Sequence, residues 1–262
     1  MAMREEILEK LNEIEKAENA RVLLAVESGS RAWGFASPDS DYDVRFICAR
    51  PQEEYLRLDK PRDVIELPIN EMLDINGWDI SKTLSLLFRS NPTLFEWLSS
   101  PITYIDGGLR DLLSPVQDKY FSSKKGLHHY LSMAKGNYRE YLHSDMVRAK
   151  KYFYVLRPIL ACRWILDHNT NPPMLFSELA AAELDPALKG EVDRLLDLKM
   201  NAPEVKLIPR VEAVNAYLDR SIVEIDERIA SLPDEPLHDW AELNDLFRGI
   251  ISRELTAPVS SQ

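Results

Sequence analysis

The sequence predicts an α/β (α+β) half over residues 1–115 and an all-α half over residues 116–262. Short apolar or alternating runs, which are typical of strands, occur only in the first half. After the Gly107-Gly108 break, apolar residues recur almost throughout with the period of a helix. A chain of 262 residues suits one or two domains, so we predict a domain boundary near residue 115.

The first half is predicted to begin with a helix and then to alternate between strand and helix. Residues 4–18 carry a stripe of apolar side chains, which indicates an amphipathic helix. Residues 21–26 form a short apolar run that suits a buried strand. Residues 30–35 are predicted to make one or two helical turns, which end at a turn over residues 38–40. Strand-forming residues then alternate over residues 42–48.

Residues 63–68 and 72–80 are two further strand candidates, and the apolar period then becomes helical. Asn91-Pro92 has the pattern of an N-cap followed by proline in the first helical turn. A short strand is predicted at residues 102–105. Five long helices are predicted after it, at residues 119–143, 146–168, 188–200, 208–231 and 236–254.

Composition excludes several classes of protein. The net charge of -11, from 43 acidic and 32 basic residues, argues against a long, non-specific grip on nucleic acid but not against a local basic groove. The two cysteines, Cys48 and Cys162, support neither a disulfide framework nor a cysteine zinc site. No apolar run approaches the ~20 residues that cross a bilayer, and no secretory signal is present. We expect a cytoplasmic protein with no membrane partner.

The segment that carries chemistry joins Gly29-Ser30 to Asp41 and Asp43. The first pair follows a predicted strand, where glycine lets backbone N–H groups approach phosphate and serine can add a hydroxyl donor. Asp41 and Asp43 are two residues apart on the next predicted strand, so their side chains share one face. Two converging carboxylates repel each other unless cations neutralise them, and Mg²⁺ prefers such oxygen ligands.

Each part alone has an ordinary structural explanation. A Gly-Ser pair is usually a turn, and an Asp-x-Asp pair is usually a solvated strand edge. The order of strand, Gly-Ser, short helix, turn and Asp-x-Asp strand favours a functional site instead. Nucleotidyl transfer needs a held triphosphate and two metal ions about 3.5–4 Å apart, which these groups can provide.

The segment GSRAWGFASPDSDYDVRFI is similar to the GS…DxD signature of the polymerase-β-like nucleotidyltransferase superfamily. The blocks ESGSRAWGF, SDYDVRF, DINGWD, NPTLFEWL and KKYFYVLRPILACRW resemble its RNA-repair-associated, YcgL-like branch over residues 20–180. The resemblance implies an α/β palm with a small mixed sheet, two Mg²⁺ ions, with Mn²⁺ as an alternative, and a nucleoside triphosphate donor. It also implies extension or repair of an RNA 3′ end, with tRNA among the candidate acceptors.

This superfamily normally adds a third acid from a neighbouring strand. Asp74 best matches that position, because it opens the strand that runs into the following helix. Asp79 is the rival, although an aspartate just before a helix is also a good N-cap. The two are an odd number of residues apart, so on a regular strand they face opposite sides. Glu66 is a third candidate, and its alternative is a solvated strand residue.

Three charged residues flank the two motifs. Arg31 is predicted to contact the nucleotide. Arg45 is an even step from Asp43 and is predicted to buttress the carboxylates or to contact phosphate, with a structural ion pair as the alternative. Glu27 either orients the Gly-Ser loop or is merely exposed.

Lys151, Tyr154 and Arg157 are spaced i, i+3, i+6 in the second half, approximately along one helix face. In related two-domain nucleotidyltransferases a helical domain closes over the nucleotide. We therefore predict that these side chains hold triphosphate oxygens and stack the base. A partly exposed amphipathic helix is the alternative.

We predict in-line attack of an acceptor hydroxyl on the α-phosphorus of a nucleoside triphosphate, with release of pyrophosphate. Asp41 and Asp43 would bind the metal ions, Asp74 would complete the site, and Gly29-Ser30 would hold the leaving phosphates. Three alternatives are transfer of AMP to a protein or small molecule, a non-catalytic nucleotide-binding module, and a structural or interaction protein. The sequence does not specify the base, the acceptor or the oligomeric state.

Overall fold

The computed structural model describes residues 3–68, 72–201, 207–233 and 238–252. The first half follows the predicted order of elements except for α3 (Gln52–Tyr55), a short helix that was not predicted. Its elements are α1 (Met3–Glu18), β1 (Arg21–Glu27), α2 (Gly29–Ala32), β2 (Tyr42–Ala49), α3 (Gln52–Tyr55), β3 (Val64–Glu66), β4 (Leu73–Asp79), α4 (Ile80–Phe88), α5 (Pro92–Leu98) and β5 (Thr103–Asp106). Asn91 caps α5 as expected, since its side chain accepts a hydrogen bond from the Leu94 N–H.

The second half is mainly helical. Its elements are α6 (Leu109–Tyr120), α7 (Ser123–Tyr141), β6 (Met146–Arg148), α8 (Ala149–His168), α9 (Phe176–Glu183), a short 3₁₀ helix (Pro186–Leu188), α10 (Lys189–Asn201), β7 (Leu207–Pro209), α11 (Glu212–Ala230) and α12 (Ala241–Ser252). None of the described helices is long and apolar enough to span a bilayer.

The five strands of the first half form one sheet in the order β3-β4-β2-β1-β5. Strands β2 and β4 run parallel, and every other neighbouring pair is antiparallel. The expected small mixed sheet is therefore confirmed. The chain crosses from β2 to the parallel β4 through α3 and the edge strand β3.

Each face of the sheet is covered by helices. On one face, Ile7 and Leu11 of α1 pack against Val44 and Phe46 of β2. On the other, Ile47 packs in a core that α4, α5, α6 and α12 share. Successive side chains of a strand alternate between faces, so Asp43 and Arg45 lie on the same face as Ile47. This second face is thus polar where β2 begins and apolar further along.

A separate hydrophobic core holds the second half together, with contributions from α7, α8, α9, α10 and α11. Phe35, from the segment between α2 and β2, is fully buried in this same core. The two halves are therefore connected by more than the chain between β5 and α6.

The second half differs from the all-α expectation at one place. Residues 146–148 pair with residues 207–209 in a two-stranded antiparallel sheet, so α8 and α11 each begin later than predicted. This pairing is non-local, and the short segments carry no periodic signal that reveals it. Helices α6 and α9 were not among the predicted elements either.

The division into two domains at residue 115 remains a prediction. Residue 115 is a proline inside α6, and the helix continues through it. Helix α12 packs against the core of the first half through Leu243 and Ile250. This helix lies within the predicted range 236–254, of which residues 236, 237, 253 and 254 are outside the described residues.

We expect Gly77→Ala to destabilise the protein by about 1–3 kcal/mol, because a methyl group has no room at the centre of the sheet. A Cβ atom at Gly77 would lie 2.4 Å from the nearest ring carbon of Phe46, which is buried on the neighbouring strand. Urea denaturation measures the change. Gly190→Ala is the control, because a Cβ there meets no atom within 4 Å and alanine favours the helix. Equal free energies of unfolding for Gly77→Ala and the wild type would contradict the expectation.

Candidate active site

Asp43 and Asp74 lie side by side at one end of the sheet. Strands β2 and β4 are parallel, and their register places Asp43 directly opposite Asp74. Their side chains therefore share the same face. Asp41 is exposed and precedes the first residue of β2, so the prediction that it lies on the same strand as Asp43 is wrong.

The guanidinium of Arg45 bridges the two facing carboxylates. Its Nη2 donates to Asp43 Oδ1 at 3.0 Å and to Asp74 Oδ2 at 2.7 Å, while Nη1 donates to the Asp74 carbonyl at 3.1 Å. The Arg45 side chain is only 15% exposed. These contacts are those of an ion pair with both carboxylates, and a catalytic role for Arg45 remains a prediction.

The environment of Asp43 disfavours its negative charge. Burial is the largest cause and raises the pKa of the Asp43 carboxyl above its usual value. The charge of Arg45 acts in the opposite direction, but the negative charges of Asp41 and Asp74 raise this pKa further. The carboxylates of Asp41 and Asp74 are therefore both close enough to repel that of Asp43, even with Arg45 beside it.

Glu27 supports Asp43 from behind. It is fully buried at the end of β1, and its Oε1 accepts a hydrogen bond of 2.7 Å from the Asp43 N–H. Its Oε2 accepts a hydrogen bond from the Tyr104 hydroxyl on β5. Burial raises the pKa of Glu27, and these two hydrogen bonds lower it. The interpretation of Glu27 as an exposed residue is wrong, because the side chain holds the start of β2.

Gly29 lies in contact with the Asp43 carboxylate. Its φ of +58° is in the left-handed region, and a Cβ atom there would be only 2.1 Å from Asp43 Oδ2. Only glycine satisfies both conditions. The Ser28 N–H also donates to the Asp43 carbonyl at 2.8 Å. The Gly-Ser motif and the Asp-x-Asp motif are thus in direct contact, and Ser30 follows at a partly exposed position in α2.

Arg31 holds the turn that carries Asp41. Its Nε donates to the Asp41 carbonyl at 2.9 Å and its Nη2 donates to the Ser40 carbonyl at 2.6 Å. The guanidinium also lies over the Tyr42 ring, 3.6 Å from its centroid. These contacts give Arg31 a structural task, and its assignment as a nucleotide ligand remains a prediction.

Asp79 lies at the far end of β4 from Asp74 and caps α4. Its Oδ1 accepts hydrogen bonds from the Ser81 N–H at 2.8 Å and the Ser81 hydroxyl at 2.6 Å. Its Oδ2 accepts from Arg50 at 3.1 Å and from the Tyr55 hydroxyl at 3.0 Å. The structure therefore brings Asp74, and not Asp79, to Asp43.

The remaining acid considered from the sequence, Glu66, lies on the edge strand β3. Its side chain is 60% exposed and lies 3.4 Å from the Arg62 guanidinium. This is the environment of a solvated strand residue.

Lys151 and Tyr154 form a partly exposed cluster of a cation and aromatic rings on α8. Lys151 Nζ lies 3.5 Å from the ring centroid of Tyr141 and 4.7 Å from that of Tyr154. The Tyr154 ring meets Trp33 edge-on at 6.2 Å. Since Trp33 directly follows α2, this cluster lies close to the Gly-Ser motif.

Arg157 faces the protein interior. It is 2% exposed, and its Nη1 lies 2.8 Å from Glu96 Oε1 on α5. Its guanidinium also lies 4.7 Å from the Trp33 ring centroid. The structure thus groups Lys151 with Tyr154, whereas Arg157 forms an ion pair that joins the second half of the chain to the first. All three assignments as nucleotide ligands remain predictions.

The carboxylates fit a metal ion that arrives with phosphate better than a resident one. No three His, Cys, Asp or Glu side chains among the described residues are grouped as a ready metal cage. Mg²⁺, however, is usually held by one or two carboxylates together with substrate phosphates and water. Asp43 and Asp74, with Asp41 nearby, are a donor set of that kind.

A mixed sheet that presents paired aspartates beside a glycine turn, with helices following, defines the polymerase-β-like nucleotidyltransferase class. Residues 3–249 match the model of a family described as the RNA repair pathway DNA polymerase beta family. The chain therefore belongs to this family, and the resemblance found in the sequence is confirmed. The chain is also 43% identical to the uncharacterized protein YcgL of Bacillus subtilis (strain 168). The 250 aligned residues cover 94% of this chain and 95% of that protein.

We expect Asp43→Asn to raise the midpoint of thermal unfolding at pH 8. The raised pKa of Asp43 means that the folded state disfavours the charged carboxylate relative to the unfolded chain. Asparagine removes that charge. This increase in the unfolding midpoint should shrink as the pH falls through the pKa that Asp43 has in the folded state, because the wild-type side chain is then uncharged too. Calorimetry between pH 8 and pH 4 measures the difference.

Glu66→Gln is the control for this measurement, since an exposed acid should change stability by no more than about 0.5 kcal/mol. A lower unfolding midpoint for Asp43→Asn at pH 8 would show that the ion pair with Arg45 outweighs burial and repulsion.

Proposed function

We propose that this protein is a metal-dependent nucleotidyltransferase that moves a nucleoside monophosphate from a triphosphate to an acceptor hydroxyl and releases pyrophosphate. The observation that carries the proposal is the contact of Gly29 with Asp43, which itself faces Asp74 across parallel strands. The Gly-Ser turn that we assign to phosphate binding is therefore in contact with the paired carboxylates at one end of the sheet.

Electrostatics supports a cationic ligand at this point. Asp41 and Asp74 both raise the pKa of Asp43, so the site gains stability when a positive charge enters it. When bound there, divalent metal ions would offset the charge that develops on the attacking and leaving oxygens. We assign Asp41, Asp43 and Asp74 to the metal ions, with Mg²⁺ or Mn²⁺ as the ions used.

The chain's own residues would then position the substrates. The Gly29-Ser30 turn offers backbone N–H groups and a hydroxyl to the leaving phosphates. Arg45 and Glu27 keep Asp43 in place from two sides. Lys151 and Tyr154 are the candidates for contact with the triphosphate and the base, because Tyr154 contacts Trp33 and Lys151 lies over the Tyr154 ring. Catalysis would be mainly positioning and charge stabilisation.

We further propose that residues 116–262 act as the domain that binds the nucleotide and the acceptor, and that the acceptor is an RNA 3′ end, such as that of a tRNA. The family description, which names an RNA repair pathway, supports this acceptor. Despite the net charge of -11, a groove of ≈ 520 Å³ is lined by His128, Lys135 and Arg139 of α7 and by Asp226 of α11, which pairs with Lys135 at 3.0 Å. Its basic residues outnumber its single acid. Such a groove suits a phosphodiester backbone. A cytoplasmic location accords with this role.

The direct test is transfer of label from each of the four nucleoside triphosphates, labelled at the α-phosphate, to total RNA, tRNA or protein in the presence of Mg²⁺ or Mn²⁺. We expect label on RNA with the wild type. Asp41→Asn, Asp43→Asn and Asp74→Asn should each lose about 100-fold or more, because each removes a metal ligand worth several kcal/mol.

Glu66→Gln, which changes an exposed acid on the same sheet, should retain full transfer. Label on protein, lost in the same variants, would move the acceptor to a protein and support AMP-type transfer. Absence of label on every acceptor would contradict the proposed reaction.

We expect Gly136→Glu to raise the KM for RNA about fivefold at low salt, which corresponds to about 1 kcal/mol for one repulsive charge in the α7 groove. Gly136 lies in that groove, and a Cβ atom there meets no atom within 4 Å, so the longer side chain fits. Gly136→Gln is the matched neutral control. Equal KM values for the two variants would contradict RNA binding along α7.

A further inference from the structure

The segment over residues 33–40, which joins the Gly-Ser motif to the Asp-x-Asp motif, is packed into the helical half. The Phe176 N–H donates to the Trp33 carbonyl at 2.9 Å. Two residues later, Phe35 is fully buried in the core that α7 to α11 share. The helical half therefore contacts the backbone that leads from one catalytic motif to the other.

Lys199 of α10 adds side-chain hydrogen bonds to this contact. The residue is 3% exposed, and its Nζ donates to Ser37 Oγ at 2.9 Å and to Ser40 Oγ at 3.4 Å. Both serines are also buried. A lysine that is this deeply buried is uncommon, since its ammonium loses most of its hydration.

The two serines form a closed turn just before Asp41. The Ser37 N–H donates to Ser40 Oγ at 3.0 Å, and the Ser40 N–H donates to the Ser37 carbonyl at 3.0 Å. Their hydroxyls lie 2.9 Å apart. Lys199 binds this turn from the helical half, whereas Arg31 binds the Ser40 and Asp41 carbonyls from α2. The position of Asp41 is thus fixed from two directions.

We propose that Lys199 is a positioning residue for Asp41, so that the helical half controls the geometry of the metal site. This inference rests on the proposed function in assigning Asp41 to a metal ion. A methionine of similar length would fill the same space without the cost of a buried charge. The hydrogen bonds of the ammonium to Ser37 and Ser40 fit a residue that orients a metal ligand from outside the coordination sphere.

The test compares Lys199→Met with the full-length wild type in two measurements. The first is hydrogen–deuterium exchange of residues 37–43 in metal-free protein, which should become faster in the variant. The second is Mn²⁺ binding with a nucleoside triphosphate present, followed by electron paramagnetic resonance. The dissociation constant for Mn²⁺ should rise about 10-fold, the lower end of the effect of residues that support metal ligands.

Two further variants separate positioning from general loss of stability. Leu195→Ala removes a fully buried side chain from the same helix, so it should lower the unfolding midpoint without changing Mn²⁺ affinity. Ser37→Ala removes one acceptor of Lys199. It should weaken Mn²⁺ binding by itself but add little in the Lys199→Met background, because the two residues act through one contact.

The outcomes distinguish this inference from the proposed function. Unchanged exchange and unchanged Mn²⁺ affinity in Lys199→Met, with a wild type that binds Mn²⁺, would overturn the role of Lys199 alone. An equal loss of Mn²⁺ affinity in Leu195→Ala would also overturn it. A wild type that binds no Mn²⁺ would contradict the proposed function and, with it, the assignment of Asp41 to a metal ion.

Discussion

The parallel pairing of β2 with β4 is the constraint on which the rest of the site depends. It brings two acids that are distant in the sequence into direct opposition on one face of the sheet. Three neighbouring residues accommodate the two facing carboxylates. Arg45 supplies a positive charge, Glu27 fixes the backbone of Asp43, and the side chain that Gly29 lacks leaves room for the Asp43 carboxylate.

Much of this could be predicted from local patterns, because strand periodicity and the order of motifs are local signals. The resemblance favoured Asp74 over Asp79, and the odd spacing of the two acids predicted only that they face opposite sides. The register that places Asp74 opposite Asp43 is a non-local feature. Arg157 shows where local patterns fail to predict the environment of a side chain. Helical spacing predicted that Arg157 shares a helix face with Lys151 and Tyr154. Its ion-pair partner Glu96, however, is 61 residues away in the sequence. The pairing of β6 with β7 and the hydrogen bond from Tyr104 to Glu27 are non-local in the same sense.

The two halves of the chain are joined beside the Gly-Ser motif as well as by the covalent linker. Trp33 contacts Tyr154 and Arg157, and Phe35 is part of the helical core. A movement of the helical half would therefore be transmitted to the Gly-Ser and Asp-x-Asp motifs rather than to the covalent linker alone. In the reverse direction, a ligand that fixes the two motifs would restrict the helical half.

The segment ASPDS, residues 36–40, has the composition of a surface turn, a place where families usually accept insertions and deletions. Because this segment is packed at both ends, we expect it to tolerate neither insertions nor deletions. An added residue would move either Phe35 out of the helical core or Asp41 out of line with β2, since both ends of the segment are fixed. The number of residues between the two motifs is thus set by the distance between two anchoring points, and length variation in relatives should fall in other turns.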